Sequence, residues 1–212
     1  MLICSLLLSA ALTASQQETV ITVPTEMCHG YFFVPITLGE DSSDPERTLW
    51  FLHDTGASTS FVDPDSLERV SGQRVDVGRR ANIVSAKSGT IQYSGLKARV
   101  GELDHLSTTL GREIDGILAF GVFDDFLLTL DYDAEQMTLR KGALPRPDNV
   151  EVFSADGPDS RPWLKLRVGK KQRRMLIDSG AALTGLVVNK LGGYATLTPP
   201  RVTSASTRLK KL

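Results

Sequence analysis

From Tyr31 to Leu139 the apolar residues fall in short runs broken by turn residues, and helical spacing is confined to brief pieces. Phe32-Phe33-Val34-Pro35-Ile36-Thr37-Leu38 is rich in aromatic and β-branched side chains, and Gly39 ends it. An acidic turn, Glu40 to Glu46, leads into Thr48-Leu49-Trp50-Phe51-Leu52 and then Asp54. A continuous apolar run of that length predicts a strand buried on both faces. Val62 to Leu67, with Asp63 before Pro64, predicts a turn opening a short helix. Ile83 to Val100 predicts a hairpin around Ala86 to Thr90, and Leu127 to Leu139 a second hairpin turning at Asp133 to Gln136. The pattern is that of an all-β, or mostly β, protein.

Between Gly142 and Pro162 the composition shifts to proline, glycine, aspartate and serine, which predicts a linker. Beyond it the chain repeats itself. Trp163 to Gly169 restates the apolar strand plus glycine of Ile36 to Gly39, and Met175 to Ala181 restates Phe51 to Ala57. Two aspartates thus close equivalent runs: Asp54 in Asp54-Thr55-Gly56-Ala57, and Asp178 in Asp178-Ser179-Gly180-Ala181. Their spacing is about one small domain.

Charge narrows the partners. The 212 residues carry 24 basic and 25 acidic side chains, a net charge of -1, so no overall basic surplus points to nucleic acid or an anionic membrane. Leu2 to Leu12 is almost wholly apolar and is followed by small and polar residues, the length and ending of a signal peptide over residues 1–17. That predicts a periplasmic or secreted protein with no membrane contact beyond the export signal. Cys4 would leave with the signal, so Cys28 is expected to be a small apolar packer without a disulfide partner.

A carboxylate at the tip of a buried strand is costly unless hydrogen bonds or a partner group stabilise it. One Asp-Thr-Gly is weak evidence, because aspartate often ends a strand in an Asx-turn and glycine then takes the unusual φ. Two copies at matching offsets suggest that each carboxylate is the other's partner.

The chain resembles aspartic peptidases of the retropepsin-like and pepsin-like type, specifically the bacterial exported group. The resemblance rests on Phe51-Leu52-His53-Asp54-Thr55-Gly56-Ala57-Ser58, Asp115-Gly116-Ile117-Leu118-Ala119 and Leu128-Thr129-Leu130-Asp131-Tyr132. It implies an acid-protease-like barrel: a complete first lobe over 29–141, the linker over 142–162, and a partial duplicated second lobe over 163–212 with an unstructured tail. It also implies a polypeptide substrate, no cofactor, no metal, and a catalytic dyad of Asp54 and Asp178. Thr55 and Ser179 would join the two loops, Gly56 and Gly180 would permit their tight turns, and a flap would involve Ser88, Gly89 and Tyr93.

Three features depart from the family pattern. Ala119 stands where a supporting glycine is usual, with Gly121 nearby to serve instead. His53 precedes the first aspartate in place of an aliphatic residue, and strand alternation predicts that it faces away from the site. The second lobe is short, with 34 residues after Asp178. That brevity suggests a fragment of a longer two-lobed enzyme, a homodimer of first lobes joined through Asp54, or a noncatalytic peptide- or protein-binding β-domain.

Overall fold

The structure is a computed structural model that describes residues 19–39, 45–148, 150–155, 159 and 161–181. The expected signal peptide and the tail beyond residue 181 lie outside the described residues. In chain order the strands are β1 (Val20–Val23), β2 (Glu26–Cys28), β3 (Tyr31–Leu38), β4 (Thr48–Asp54) and β5 (Ser60–Val62). Helix α1 (Pro64–Ser71) follows, then β6 (Arg80–Ser88), β7 (Ile91–Val100), α2 (Asp104–Leu110) and β8 (Gly116–Ala119). Four strands complete the set: β9 (Leu127–Asp131), β10 (Gln136–Arg140), β11 (Trp163–Val168) and β12 (Lys171–Leu176).

Six strands close a barrel in the order β3-β4-β8-β5-β7-β6, sealed where Thr37 and Leu38 of β3 pair with Lys87 and Ala86 of β6. Closure removes the open edges that a sheet of this size would otherwise present. Alternation on β3 explains its unbroken apolar sequence. Phe32, Val34, Ile36 and Leu38 face the main core with Leu49 and Phe51. Tyr31 and Phe33 face a second cluster with Leu52, Leu103 and Ile114. β4 divides in the same way, Leu49 and Phe51 into the first cluster and Leu52 into the second, so both of its faces are buried, as its continuous run predicts.

Helix α1 follows from its capping residues. Asp63 accepts at Oδ1 from the Asp65 and Ser66 N–H groups, Pro64 opens the first turn, and Gly72 closes the helix with φ +68°. The other Asp63 oxygen accepts from the Leu103 N–H at 3.2 Å, tying α1 to the chain leaving β7. Asp115, 2% exposed, accepts from the Trp50 N–H at 2.7 Å and from Arg69 at 2.8 Å, fixing the entry of β8 against β4. Gly116 faces Phe51 across the parallel β4/β8 pair, and any Cβ there would strike the phenyl ring.

Strands β1 and β2 precede residue 29, where the first lobe was expected to begin. β1 pairs antiparallel with β10, adding a third strand to the β9–β10 hairpin, and β2 pairs with β3. The segment expected as a linker is partly built into the fold. Val152 is buried, Asp148 Oδ1 accepts from three successive N–H groups at Val150, Glu151 and Val152, and Ala155 bridges to Leu164. The duplicated unit forms the hairpin β11–β12. Each copy of the repeat has a left-handed glycine after its first strand, Gly39 at φ +88° and Gly169 at φ +61°.

Candidate active site

β4 and β12 each run into an aspartate loop, and the two loops meet within one chain. Each carboxylate accepts from its own turn: Asp54 Oδ1 from the Gly56 and Ala57 N–H groups at 2.7 and 3.1 Å, Asp178 Oδ1 from the Gly180 N–H at 3.0 Å. The hydroxyls cross over. Thr55 Oγ1 donates to the Ile177 carbonyl at 2.7 Å and accepts from the Ser179 N–H at 2.9 Å. Ser179 Oγ donates to the His53 carbonyl at 2.9 Å and accepts from the Thr55 N–H at 3.0 Å. The four bonds are related by a local twofold, and Thr55 is fully buried at their centre.

The glycines are dictated by this contact. A Cβ on Gly56 would collide with the Asp178 carboxylate, and one on Gly180 would collide with that of Asp54. Only a bare backbone lets each carboxylate lie over the opposite loop. Beneath them, Ala119 pairs with Asp54 in the parallel β4/β8 register and donates its N–H to the buried Ser60 Oγ at 3.0 Å. Ala119 itself therefore takes the place beside Asp54, while Gly121 lies in the short helical turn Phe120–Phe123.

Burial pushes the Asp54 pKa up from the ordinary carboxylate value to about 6, the Asp178 charge adds to the rise, and the Gly56 N–H opposes it. Asp178 is the more exposed of the two. Tyr132 stands nearby: burial raises its phenol pKa, and the Asp178 charge raises it further.

His53 faces away from the aspartates, as alternation predicts. Its ring is completely buried, packs edge-on against Phe123 at 5.5 Å and has no hydrogen-bond partner on either nitrogen. Burial drives its pKa down to about 4; the Leu118 carbonyl offsets part of this without reaching hydrogen-bond geometry. The unfolded chain takes up a proton near the ordinary value of 6.5 and the folded one only near 4. Stability is thus present above pH 6.5 and lost as pH falls towards 4, by about 3 kcal/mol for the full shift. His53→Leu is expected to remove that loss and to stabilise the protein at pH 5 more than at pH 7, as read by urea unfolding at both values.

The hairpin carrying Ser88, Gly89 and Tyr93 is rooted in the barrel. β6 pairs with β3 as well as β7, and β7 pairs with β5. Ser88 and Tyr93 are buried, the Tyr93 ring lies 6.3 Å from Phe123, and a Cβ on Gly89 would meet Pro24 at 2.8 Å. β6 meets β3 only at Ala86 and Lys87, and β7 meets β5 only at Ala98 to Val100, so the barrel holds the hairpin by these short stretches.

A further group lies at the loops. Arg161 donates to the Gly56 carbonyl at 3.0 Å and is held by Asp159 through Nε at 2.9 Å and Nη2 at 2.6 Å. Trp163 Nε1 donates to the same Asp159 at 3.2 Å. The charges of Asp178 and Asp54 both act on the guanidinium. Arg161 and Asp159 stand in the proline- and aspartate-rich stretch, where charged residues read as solvated; the one signal was their position just before the second repeat. A separate hollow lined by Arg47, Val70, Ile83 and neighbours is remote from this chemistry. Among the described residues no group of three or more His, Cys, Asp or Glu side chains is arranged to hold a metal.

No protein-family model matches the chain. No curated protein matches it either. Among solved structures it is similar to a retropepsin-like aspartic protease from Rickettsia conorii, at 15% identity over 62% of this chain and 98% of that one, with a TM-score of 0.41.

Proposed function

We propose that the chain is an aspartic endopeptidase in which Asp54 and Asp178 share one proton and activate a water against a peptide bond. The observation that carries this reading is the reciprocal Thr55–Ser179 interlock, which sets each carboxylate over the glycine of the other loop. Two neighbouring carboxylates resist joint ionisation, so a pair set against each other's loops retains a proton at mildly acidic pH; aspartic proteases are the standard case of that effect.

Asp54, with its raised pKa, holds the proton and faces the substrate carbonyl oxygen. Ionised Asp178 takes a proton from the water as its oxygen attacks the carbonyl carbon. The carbonyl oxygen receives the Asp54 proton, giving a gem-diol. As the C–N bond breaks, Asp178 passes its proton to the leaving nitrogen and a diol hydroxyl returns one to Asp54. The titration belongs to the pair. Its upper limit follows Asp54, so the rate is expected to be greatest at mildly acidic pH and to fall about tenfold per pH unit above 6 in a pH–rate profile.

The apolar Leu2–Leu12 run supports export to the periplasm or outside the cell. Incubation with an unfolded protein substrate, with and without a statine-type inhibitor, tests the activity. Inhibitor-sensitive cleavage supports the peptidase. Absence of cleavage between pH 4 and 7 together with tight peptide binding would establish the noncatalytic β-domain instead.

A further inference from the structure

Formal charge changes sign along the described chain. Residues 19–39, 45–148 and 150–155 hold 18 acidic and 12 basic side chains, whereas 161–181 hold one acidic and seven basic. Six of those seven lie on the β11–β12 ribbon: Lys165, Arg167, Lys170, Lys171, Arg173 and Arg174, all exposed. No carboxylate stands on either strand.

Lys165 lies directly opposite Arg174, and like charges across a strand pair repel. Lys165, Arg167, Gln172 and Arg174 share one face; Arg173 and Lys171 add cations to the other, beside Leu164 and Met175. A ribbon that needed only to fold would alternate its charges.

The ribbon starts at the aspartate loops. At its base the Ile177 N–H donates to the Pro162 carbonyl at 3.0 Å, and Asp178 follows at once. On the neighbouring strand Arg161, just before β11, donates to Gly56 of the other loop. The two pairs at the base, Trp163 with Leu176 and Leu164 with Met175, are uncharged; the cations occupy the outer four pairs, roughly 13 Å at strand spacing. An acidic segment held on the ribbon would stay tethered near the aspartate loops, while the rest of the described chain, with its acidic surplus, offers it no such attraction.

We propose that the β11–β12 ribbon is a docking strip for acidic segments of the substrate, so that the preferred substrates carry a run of Asp and Glu to one side of the cleaved bond. The strip presupposes the endopeptidase reading for its cleavage consequences, but not for binding, and the two can be tested apart.

For binding, Asp54→Asn protein is titrated into a fluorescein-labelled peptide bearing six glutamates. Expected results are saturable binding that weakens at least tenfold between 50 and 500 mM salt, and at least tenfold weaker binding in Arg167→Gln/Lys171→Gln/Arg173→Gln/Arg174→Gln. The charge-preserving set Arg167→Lys/Lys171→Arg/Arg173→Lys/Arg174→Lys, with an unchanged circular dichroism spectrum, should restore it. For cleavage, kcat/KM is compared for matched substrates with acidic or neutral flanks; an acidic preference of tenfold or more should fall to near unity in the glutamine variant. Binding without cleavage would leave the strip standing and remove the peptidase. Equal cleavage of acidic and neutral substrates would do the reverse. The strip is likewise overturned if phosphatidylserine vesicles or an oligonucleotide bind more tightly than the peptide, or if the ribbon instead mediates a salt-sensitive dimer.

Discussion

Asp54→Asn is expected to lower kcat at least about a thousandfold and, at pH 7, to raise thermal stability by a few degrees. A positioned general acid contributes about 10²- to 10⁴-fold, and here the same group also holds the pair's shared proton. Asparagine keeps the Oδ1 that accepts from Gly56 and Ala57, so the loop retains its hydrogen bonds. The stability gain follows from the raised pKa. The native carboxyl binds its proton up to about pH 6 and the unfolded one only to 3.8, so Asp54 contributes stability below pH 3.8 that is lost as pH rises through 6. Above that value an ionised, half-buried carboxylate remains, costing about 1–2 kcal/mol after allowance for its partial exposure. Calorimetry at pH 7 and pH 4 checks the sign: the variant should exceed the parent at pH 7 and match it at pH 4. Equal stability at both would mean that the Asp54 carboxyl is not held above its ordinary pKa.

Thr55→Val is expected to separate the loops. The replacement keeps the volume but removes the donor to Ile177 and the acceptor for the Ser179 N–H, at a side chain that is itself fully buried. Unpaired backbone groups of this kind cost about 1–3 kcal/mol each, so docking of the β11–β12 unit should weaken by about 2–4 kcal/mol. Activity should fall at least about a hundredfold, because the reaction depends on two carboxylates held in one geometry. Ser179→Ala removes the other half of the lock. In a double-mutant cycle the second substitution should cost less than it does alone, by about 1 kcal/mol or more. Thr55→Ser, which keeps the hydroxyl, should retain most activity. Additive losses would show that the four bonds do not act as a unit.

How legible these features are in the sequence differs by their physics. The unbroken apolar run of β4 announces a strand covered on both faces, and its residues divide between both core clusters. Asp63-Pro64 with Gly72 marks α1, since capping depends on residues close in sequence. The duplicated Asp-hydroxyl-Gly was visible because repetition needs no structure to be seen. β1 was not: Val20–Val23 is four residues long, and its partner β10 lies more than a hundred residues downstream. The contact of β3 with β6 at Ala86 and Lys87 was not legible either, because strand and turn signals give no account of edge partners. Arg161 escaped notice because its partner, the Gly56 carbonyl, is backbone and leaves no trace in composition.

The reciprocity of the two loops has a consequence in time. The Thr55 hydroxyl bonds to Ile177 and Ser179, so no portion of the chain ending before them can complete the site. During synthesis, the whole barrel is made and free to close while the second carboxylate is still unmade. Under the proposed function, a nascent or translocating chain would be unable to cut itself or its neighbours until residue 180 had emerged. The split between the two halves of the site would act as a delay, built into the order of synthesis, between folding and chemistry.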